Sequence, residues 1–171
     1  MMPILLIGEK YMIPLLIDVK NKNVLIVGGG KIALRRLLLF LEEGAMVTVV
    51  SPVAAPEIIE LSKLNQIIWL EKKVEITDLQ HAFIIIAATN DSTINEWIAE
   101  NVSENQLVNV VSSAEKGNVT VPKSVKKGRL TLAVSTNGAS PRLASQICNQ
   151  LSNQFDDRFI KELDQLYENR L

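Results

Sequence analysis

The sequence predicts an α/β protein in which a doubly wound parallel sheet is followed by a small α+β segment and C-terminal helices. Short aliphatic runs, such as Asn23–Val27, alternate with stretches of helical periodicity along the first two thirds of the chain. The runs are continuously apolar, as is typical of parallel strands that are covered on both faces. A glycine-rich turn, Gly28–Gly30, follows the first run and opens the first helix.

The predicted elements of the first part alternate at the spacing of βαβ units and indicate a Rossmann sheet. The first predicted helix, Lys31–Glu43, has an apolar stripe that includes Ile32, Leu37 and Leu38. The predicted strands are Asn23–Val27, Met46–Val50, Ile67–Leu70, Ala82–Ala88 and Leu107–Val111, and the later helices are Ala54–Leu64 and Asp91–Val102.

The pattern changes near residue 114, where we place a boundary. Residues 1–113 are predicted to form a first domain, 114–139 a small separate segment and 140–171 a C-terminal helical segment. Ser140 as N-cap and Pro141 at the first helical position start one helix, and a charged helix follows from Asp156. The predicted strands here are Val119–Val121 and Arg129–Ser135.

The composition of the 171 residues excludes several classes of protein. Apolar residues make up 47% and charged residues 22%, as in ordinary globular proteins. The net charge of −1 argues against a general nucleic-acid binder, which is usually basic. One cysteine, Cys148, excludes an internal disulfide, and with one histidine, His81, we predict no metal site.

The apolar N-terminus is interrupted by Glu9 and Lys10. No apolar run approaches the roughly 20 residues that span a bilayer. We therefore expect no membrane association and a cytoplasmic protein.

The turn Gly28-x-Gly30-x-x-Ala33 lies between a predicted strand and a predicted helix, which is the context of a dinucleotide-binding fingerprint. The first glycine permits the tight turn, and the second lets backbone amides approach a pyrophosphate. Ala33 is small enough for the helix to pack against the strand. The helix N-terminus offers unpaired N–H groups to phosphates.

The end of the second strand lacks the Asp or Glu that often binds the adenosine ribose. Ser51 and Pro52 stand there instead, and the Ser51 hydroxyl is a candidate for that hydrogen bond. No arginine follows immediately to attract a 2′-phosphate. The residues alone leave NAD and NADP open.

Several segments occur in a recognisable order: PLLIDVKNKNVLIVGGGKIALRR, GAMVTVVSP, IIIAATNDSTIN, VNVVSS and VPKSVKKGRLTLAVSTNGASPRLA. This order resembles the precorrin-2 dehydrogenase / sirohydrochlorin ferrochelatase family of sirohaem synthesis. The resemblance runs from Met12 to Leu151, and AATND and TNGASP are its most specific parts. Residues 1–11 precede the usual start of the family, so Met12 is an alternative initiator.

The resemblance implies a homodimer that uses NAD to convert precorrin-2, a small-molecule tetrapyrrole, to sirohydrochlorin. It also implies that residues 1–113 form an NAD-binding Rossmann domain, 114–139 an intertwined dimerisation segment and 140–171 a C-terminal helical segment that is short for the family. By position, the implied cofactor-binding residues are Gly28, Gly29, Gly30, Lys31, Ile32, Ser51, Pro52, Val53, Thr89 and Asn90.

The family usually has a catalytic aspartate after the fifth strand, in an N-V-V-D context. Here Ser112 occupies that position, at the end of Asn109–Ser112. A serine is not a base at neutral pH without help, which argues against chelatase activity. Asp91 is the nearest substitute, although its position also suits a helix N-cap.

Lys123 and Arg142 are the candidate ligands for the carboxylates of the substrate. Lys123 belongs to a basic stretch that also includes Lys116, Lys127 and Arg129, and Arg142 lies just inside a predicted helix. A solvated basic loop explains the same stretch. A non-catalytic NAD(H)- or tetrapyrrole-binding regulatory module is the alternative function, and a chelatase is the third.

Overall fold

The computed structural model describes residues 12–170, so the extension predicted for residues 1–11 lies outside the described residues. The chain divides into two compact units between Val119 and Thr120. The predicted roles of 1–113, 114–139 and 140–171 remain predictions. None of the helices in the described chain is both long and apolar enough to cross a membrane.

The described part of the first unit contains a parallel sheet and its connecting helices, as predicted. Its elements are β1 (Asn23–Val27), α1 (Lys31–Glu42), β2 (Met46–Val50), α2 (Pro56–Lys63), β3 (Ile68–Leu70), α3 (Ile76–Leu79), β4 (Ile84–Ala87), α4 (Ser92–Glu100) and β5 (Leu107–Val110).

The strand order is β3-β2-β1-β4-β5, and all neighbouring strands are parallel. Val27 at the end of β1 pairs with Val50 of β2 on one side and with Ala87 of β4 on the other. The chain runs outward from β1 first to one side and then to the other. The carboxyl ends of β1, β2 and β4 therefore meet at the switch point where open α/β sheets bind ligands.

The aliphatic strands form strongly buried layers. Ile26, Ile85 and Ile86 are fully buried, because helices cover both faces of the sheet. Burial of each such side chain contributes about 1.5–3 kcal/mol. The central strands are thus a rigid support for the loops at their carboxyl ends.

The buried face of α1 differs from the predicted stripe. Ala33, Leu37 and Phe40 are buried, at the i, i+4, i+7 spacing of one helix face. Ile32 and Leu38 are 45% and 41% exposed, so their assignment to the buried face was wrong. Ala33 packs tightly where the helix leaves the glycine turn and thereby sets the rotation of the helix.

The second unit contains β6 (Lys123–Lys127), β7 (Leu130–Val134), α5 (Pro141–Ser152) and α6 (Asp157–Glu168). The two strands pair antiparallel, with Val125 opposite Leu132. The predicted strand Val119–Val121 was wrong, because pairing begins only at Lys123. The sequence analysis missed β6, and the short helix α3 in the first unit, altogether.

Helix α5 is held to the hairpin by its buried residues Ala144 and Cys148 and by Lys127. The Lys127 ammonium donates to the carbonyls of Ser152 at 2.8 Å and Phe155 at 3.1 Å. Carbonyls at the end of a helix lack their intrahelical partners, so the cation helps to cap the C-terminal end of α5. The predicted N-cap is confirmed, since the Ser140 hydroxyl accepts from the Leu143 N–H at 3.2 Å.

Helix α6 is amphipathic but buries none of its residues. Leu166 is 62% exposed and Tyr167 is 42% exposed. Arg129 lies over the Tyr167 ring at 3.3 Å from its centroid. An apolar helix face of this kind is available for a further contact.

Candidate functional site

A cleft of about 910 Å³ opens at the carboxyl edge of the sheet in the first unit. Its size is in the range of small-molecule and cofactor sites. The loops that follow β1, β2, β3 and β4 and the first turns of α4 form its walls. The lining residues are Val27–Lys31, Val50–Ala55, Lys73, Val74, Ala88–Asn90, Thr93, Ile94 and Trp97.

The glycine turn forms the floor of the cleft, and two of its glycines are required by the fold itself. Gly28 has φ +123°, and a Cβ there would collide with the carbonyl of Ala88. A Cβ on Gly29 would collide with the carbonyl of Val53. These glycines therefore allow the loops after β1, β2 and β4 to approach one another.

Gly30 has a different environment. A Cβ built on Gly30 meets no atom of the described chain within 4 Å, and the residue is exposed. Its backbone, at φ −86° and ψ −173°, is accessible to any residue. The packing of the chain thus does not explain a glycine here, whereas close approach of a ligand to the backbone does.

The N-terminus of α1 faces this space. Gly30 is the N-cap, and no side chain of the described residues caps the helix. The first turn, Lys31–Leu34, has no carboxylate and begins with an exposed lysine that lines the cleft. Unpaired N–H groups, the helix dipole and Lys31 together suit a pyrophosphate. Ile32 does not line the cleft, and its contact with the cofactor remains a prediction.

The loop after β2 forms the wall beside the glycine turn. Ser51 is 8% exposed, and its hydroxyl donates to the carbonyl of Val53 at 2.6 Å. The single hydroxyl proton therefore holds the loop, and Ser51 can offer a ribose only an acceptor. Pro52 and Val53 are exposed at the rim, where both were predicted to contact the cofactor.

The β3 side of the cleft contributes residues that the sequence analysis missed. Lys73 and Val74 follow β3 and line the cleft, and Ile94 and Trp97 line it from α4. Trp97 also packs against the apolar core. These four residues are far from the glycine turn in sequence, so the sequence analysis did not assign them to the site. The carboxyl end of β3 nevertheless must lie at the same edge of a parallel sheet as the glycine turn.

The turn after β4 holds Thr89 and Asn90, which line the cleft as predicted. The backbone of Thr89 is fixed by Asn95 of α4, which is 1% exposed. Asn95 Oδ1 accepts from the Thr89 N–H at 3.1 Å, and Nδ2 donates to the Thr89 carbonyl at 3.0 Å. Asn95 is a central residue of the site that sequence analysis did not find.

Asp91 is the N-cap of α4, which is the structural role that its position in the sequence suited. Its Oδ1 accepts from the N–H of Thr93 at 2.9 Å and from the Thr93 hydroxyl at 2.6 Å. The hydroxyl bond, followed by the backbone bonds, lowers the pKa of this carboxyl. A carboxylate with a lowered pKa is a weaker base. Asp91 also does not line the cleft, and these observations weigh against a catalytic role.

Ser112 follows β5 and does not itself line the cleft, but it lies beside the turn after β4. Asn95 Nδ2 donates to the Ser112 hydroxyl oxygen at 3.4 Å. Asn95 therefore links Ser112, after β5, to Thr89 in the turn after β4. The described residues include no group of three His, Cys, Asp or Glu side chains that could hold a metal ion.

The predicted substrate ligands lie in the second unit. Lys123 is exposed at the start of β6, and Arg142 is exposed in the first turn of α5. Other cations of the basic stretch have structural partners. Lys116 forms an ion pair with Glu96, and Lys127 and Arg129 make the contacts described above.

Comparisons with known proteins cover nearly the whole chain. Residues 15–123 match a family model described as putative NAD(P)-binding, and residues 127–154 match one described as sirohaem biosynthesis protein central. The chain is 45% identical to a precorrin-2 dehydrogenase of Bacillus subtilis (strain 168) over 93% of this chain and 98% of the relative. It is 42% identical to a precorrin-2 dehydrogenase of Priestia megaterium over 94% of this chain and 79% of the relative.

A solved structure described as SirC, precorrin-2 dehydrogenase, has the same fold. Its TM-score is 0.80 at 42% identity, over 92% of this chain and 78% of that chain. The chain is also 36% identical to the siroheme synthase of Zymomonas mobilis subsp. mobilis over 81% of this chain. It spans only 30% of that longer relative.

Proposed function

The chain belongs to the precorrin-2 dehydrogenase family, and from this premise we propose that it removes two hydrogens from precorrin-2 to give sirohydrochlorin, with NAD as the acceptor. The observation that carries the proposal is the cleft at the switch point of the sheet. There an uncapped helix N-terminus, an unobstructed Gly30 and Lys31 form a site for a dinucleotide pyrophosphate. The size of the cleft suits a cofactor.

The cofactor would be held by the loops that meet at this edge. The N–H groups at the start of α1 would bind the pyrophosphate, and the loop Ser51–Val53 would lie beside the adenosine ribose. Thr89 and Asn90 would flank the nicotinamide half. Bound NAD⁺ supplies the acceptor for one hydrogen of the substrate together with its electron pair.

The second hydrogen of the substrate leaves as a proton. Ser112 has no carboxylate to take it, and Asp91 is used as a helix cap with a lowered pKa. We therefore propose that this proton passes to solvent at the open cleft. Metal insertion must remove two pyrrole protons, so the proposal does not extend to chelatase activity.

The substrate is a polycarboxylate, and exposed cations are suited to bind it. Lys123 and Arg142 are exposed and are our proposed carboxylate ligands. The N-terminus of α5 would add its partial positive charge beside Arg142. We place the activity in the cytoplasm, where the nicotinamide cofactor is available.

We also propose that the chain is a homodimer. In the described second unit, β6 and β7 form a two-stranded sheet, and a sheet of this size depends on packing against other elements. The apolar face of α6 is uncovered, and Leu15 and Leu16 in the first unit are 69% and 83% exposed. Association with a second copy would cover these surfaces. Sedimentation equilibrium should give twice the mass of the chain, and the mass of one chain would contradict the dimer.

The decisive experiment is an anaerobic turnover assay with enzymatically generated precorrin-2. The absorbance of sirohydrochlorin should appear with NAD⁺ and stay at the background rate without it. A parallel reaction with added Fe²⁺ tests metal insertion. NAD⁺ binding by calorimetry without NAD⁺-dependent conversion would contradict the proposal and favour a regulatory binding module.

A further inference from the structure

Asn95 is a buried polar residue whose hydrogen-bonding capacity is fully used. Its Oδ1 accepts from the N–H of Thr89 at 3.1 Å and shares with the Asp91 carbonyl the proton of the Thr89 hydroxyl, which lies 2.8 Å from each acceptor. Its Nδ2 donates to the Thr89 carbonyl at 3.0 Å and to the Ser112 hydroxyl at 3.4 Å. An amide offers two acceptor and two donor positions, so none remains unused. One side chain thus joins the loop after β4 to the loop after β5.

The orientation of this amide follows from chemistry. The Thr89 N–H can only donate, and the Thr89 carbonyl can only accept. Exchange of Oδ1 and Nδ2 would place a donor against a donor and an acceptor against an acceptor. Nδ2 is therefore the atom that faces Ser112.

This orientation determines how the Ser112 hydroxyl is used. Nδ2 has no acceptor function, so the oxygen of Ser112 must accept in this contact. The hydroxyl proton of Ser112 then points away from Asn95. Ser112 is exposed, so this proton is available to a bound molecule.

We propose that Asn95 is a positioning residue that orients Ser112 as a hydrogen-bond donor to the tetrapyrrole substrate. The inference rests on the proposed function and gives residue 112 a role that differs from that of a base. A donor at this position can bind a carboxylate of the substrate. Through Thr89, the same amide fixes the loop that lines the cofactor cleft.

A double-mutant cycle between Asn95 and Ser112 tests the proposal. We expect Ser112→Ala to lower kcat/KM for precorrin-2 about tenfold, with NAD affinity unchanged, because a hydrogen bond to a charged group is lost. Asn95→Ala should lower kcat/KM further and also weaken NAD binding. The double variant should lose at least about fivefold less than the product of the two single losses, because residues in contact are coupled. Fully multiplicative losses would show a merely structural Asn95 and overturn the proposal.

Gln106 provides a matched control. It is a buried amide just before β5, at the opposite end of that strand from Ser112, and Nε2 donates to the Ala82 carbonyl at 2.7 Å. Gln106→Ala should lower stability and show multiplicative effects with Ser112→Ala. Coupling as strong as that of Asn95 would contradict a specific role for Asn95.

A second variant keeps the test decisive if Asn95→Ala does not fold. A neutral aspartic acid at position 95 retains acceptors and one donor, so it can keep its bonds to Thr89, but it has no proton left for Ser112. Burial raises the pKa of such a carboxyl, so Asn95→Asp is assayed at about pH 6. It should reproduce the loss of Ser112→Ala with near-normal NAD affinity, and normal kcat/KM would overturn the proposal. No turnover by the wild type overturns the proposed function, whereas turnover without coupling overturns this inference alone.

Discussion

The side-chain amide of Asn95 and the backbone of Thr89 form a closed pair of hydrogen bonds at 3.1 and 3.0 Å. Both backbone groups of Thr89 are therefore satisfied within the protein. The Thr89 hydroxyl proton lies within reach of two acceptors, Asn95 Oδ1 and the Asp91 carbonyl oxygen, each at 2.8 Å, and the hydroxyl oxygen accepts from the Asp91 N–H at 3.2 Å. The loop after β4 is thus ordered before any ligand enters the cleft, which lowers the entropic cost of binding.

Replacement of Thr89 tests this ordering. We expect Thr89→Val, which keeps the shape but removes the hydroxyl, to lower the free energy of unfolding by about 1–2 kcal/mol. It should also weaken NAD binding, because the loop loses its anchor to Asp91. Thr89→Ser keeps the hydroxyl and is the matched control. Losses in Thr89→Ser that are absent in Thr89→Val, by urea unfolding and calorimetry, would show that the methyl group matters instead.

We expect opposite effects on stability when Gly30 and Gly29 are each replaced by alanine. Gly30→Ala should leave stability unchanged or raise it by about 0.4–1 kcal/mol, because its backbone conformation suits any residue and the space is open. The new methyl group should lower NAD affinity at least tenfold by blocking the backbone.

Gly29→Ala should instead destabilise the fold by about 1–3 kcal/mol, because its Cβ would collide with the Val53 carbonyl. Thermal unfolding and NAD titration of the two variants separate a ligand requirement from a packing requirement. Undiminished NAD affinity of Gly30→Ala would contradict the assigned pyrophosphate site.

The parallel sheet was predictable because its strands are continuous aliphatic runs. β1 and β2 begin and end where the sequence indicated. The rotation of α1 was not predictable from its apolar residues, since they surround much of the helix and Ala33 decides the buried face. β6 was missed because Lys123–Lys127 is mostly charged, and only its pairing with β7 makes it a strand. The two-residue turn at Gly128, with φ +53°, was an available signal.

The cofactor cleft was predicted in large part because its turn is local in sequence. Gly28–Lys31, Thr89 and Asn90 all line it. The sequence could not show whether the Ser51 hydroxyl is free to donate a hydrogen bond to the ribose. Its proton goes to a backbone carbonyl, and the position of that carbonyl depends on the conformation of the loop. Asn95 could not be recognised from the sequence for a similar reason. The role of this buried amide depends on its hydrogen-bond partners, which lie on two other loops.

Lys127 and Lys123 allow a structural and a substrate-binding role to be separated. Lys127→Met keeps the apolar stem but removes the two bonds to the end of α5. We expect the second unit to lose about 1–2 kcal/mol of stability. Lys123→Met should leave stability unchanged and raise KM for precorrin-2, because the residue is exposed. Unchanged KM in Lys123→Met would contradict its proposed contact with the substrate.

The capping role of Asp91 predicts a specific dependence of stability on pH. Its pKa is lowered in the folded state by the bonds from Thr93, first the hydroxyl and then the backbone. The folded protein therefore binds the proton of Asp91 less readily than the unfolded chain does. The stabilisation is complete above the ordinary pKa of an aspartate, about 3.9, and is lost as the pH falls through the lowered value.

Asp91→Ala should remove the cap and lower the melting temperature at neutral pH, with a smaller difference from the wild type in strong acid. Asp91→Asn should restore most of the melting temperature, because asparagine is an equally good N-cap. Thermal unfolding from about pH 2 to pH 7 measures both effects. The turnover rate of Asp91→Asn then separates the two roles of this residue. If capping is its contribution, kcat stays close to that of the wild type, whereas a fall of two orders of magnitude or more, about the contribution of a general base, would identify a catalytic carboxylate after all.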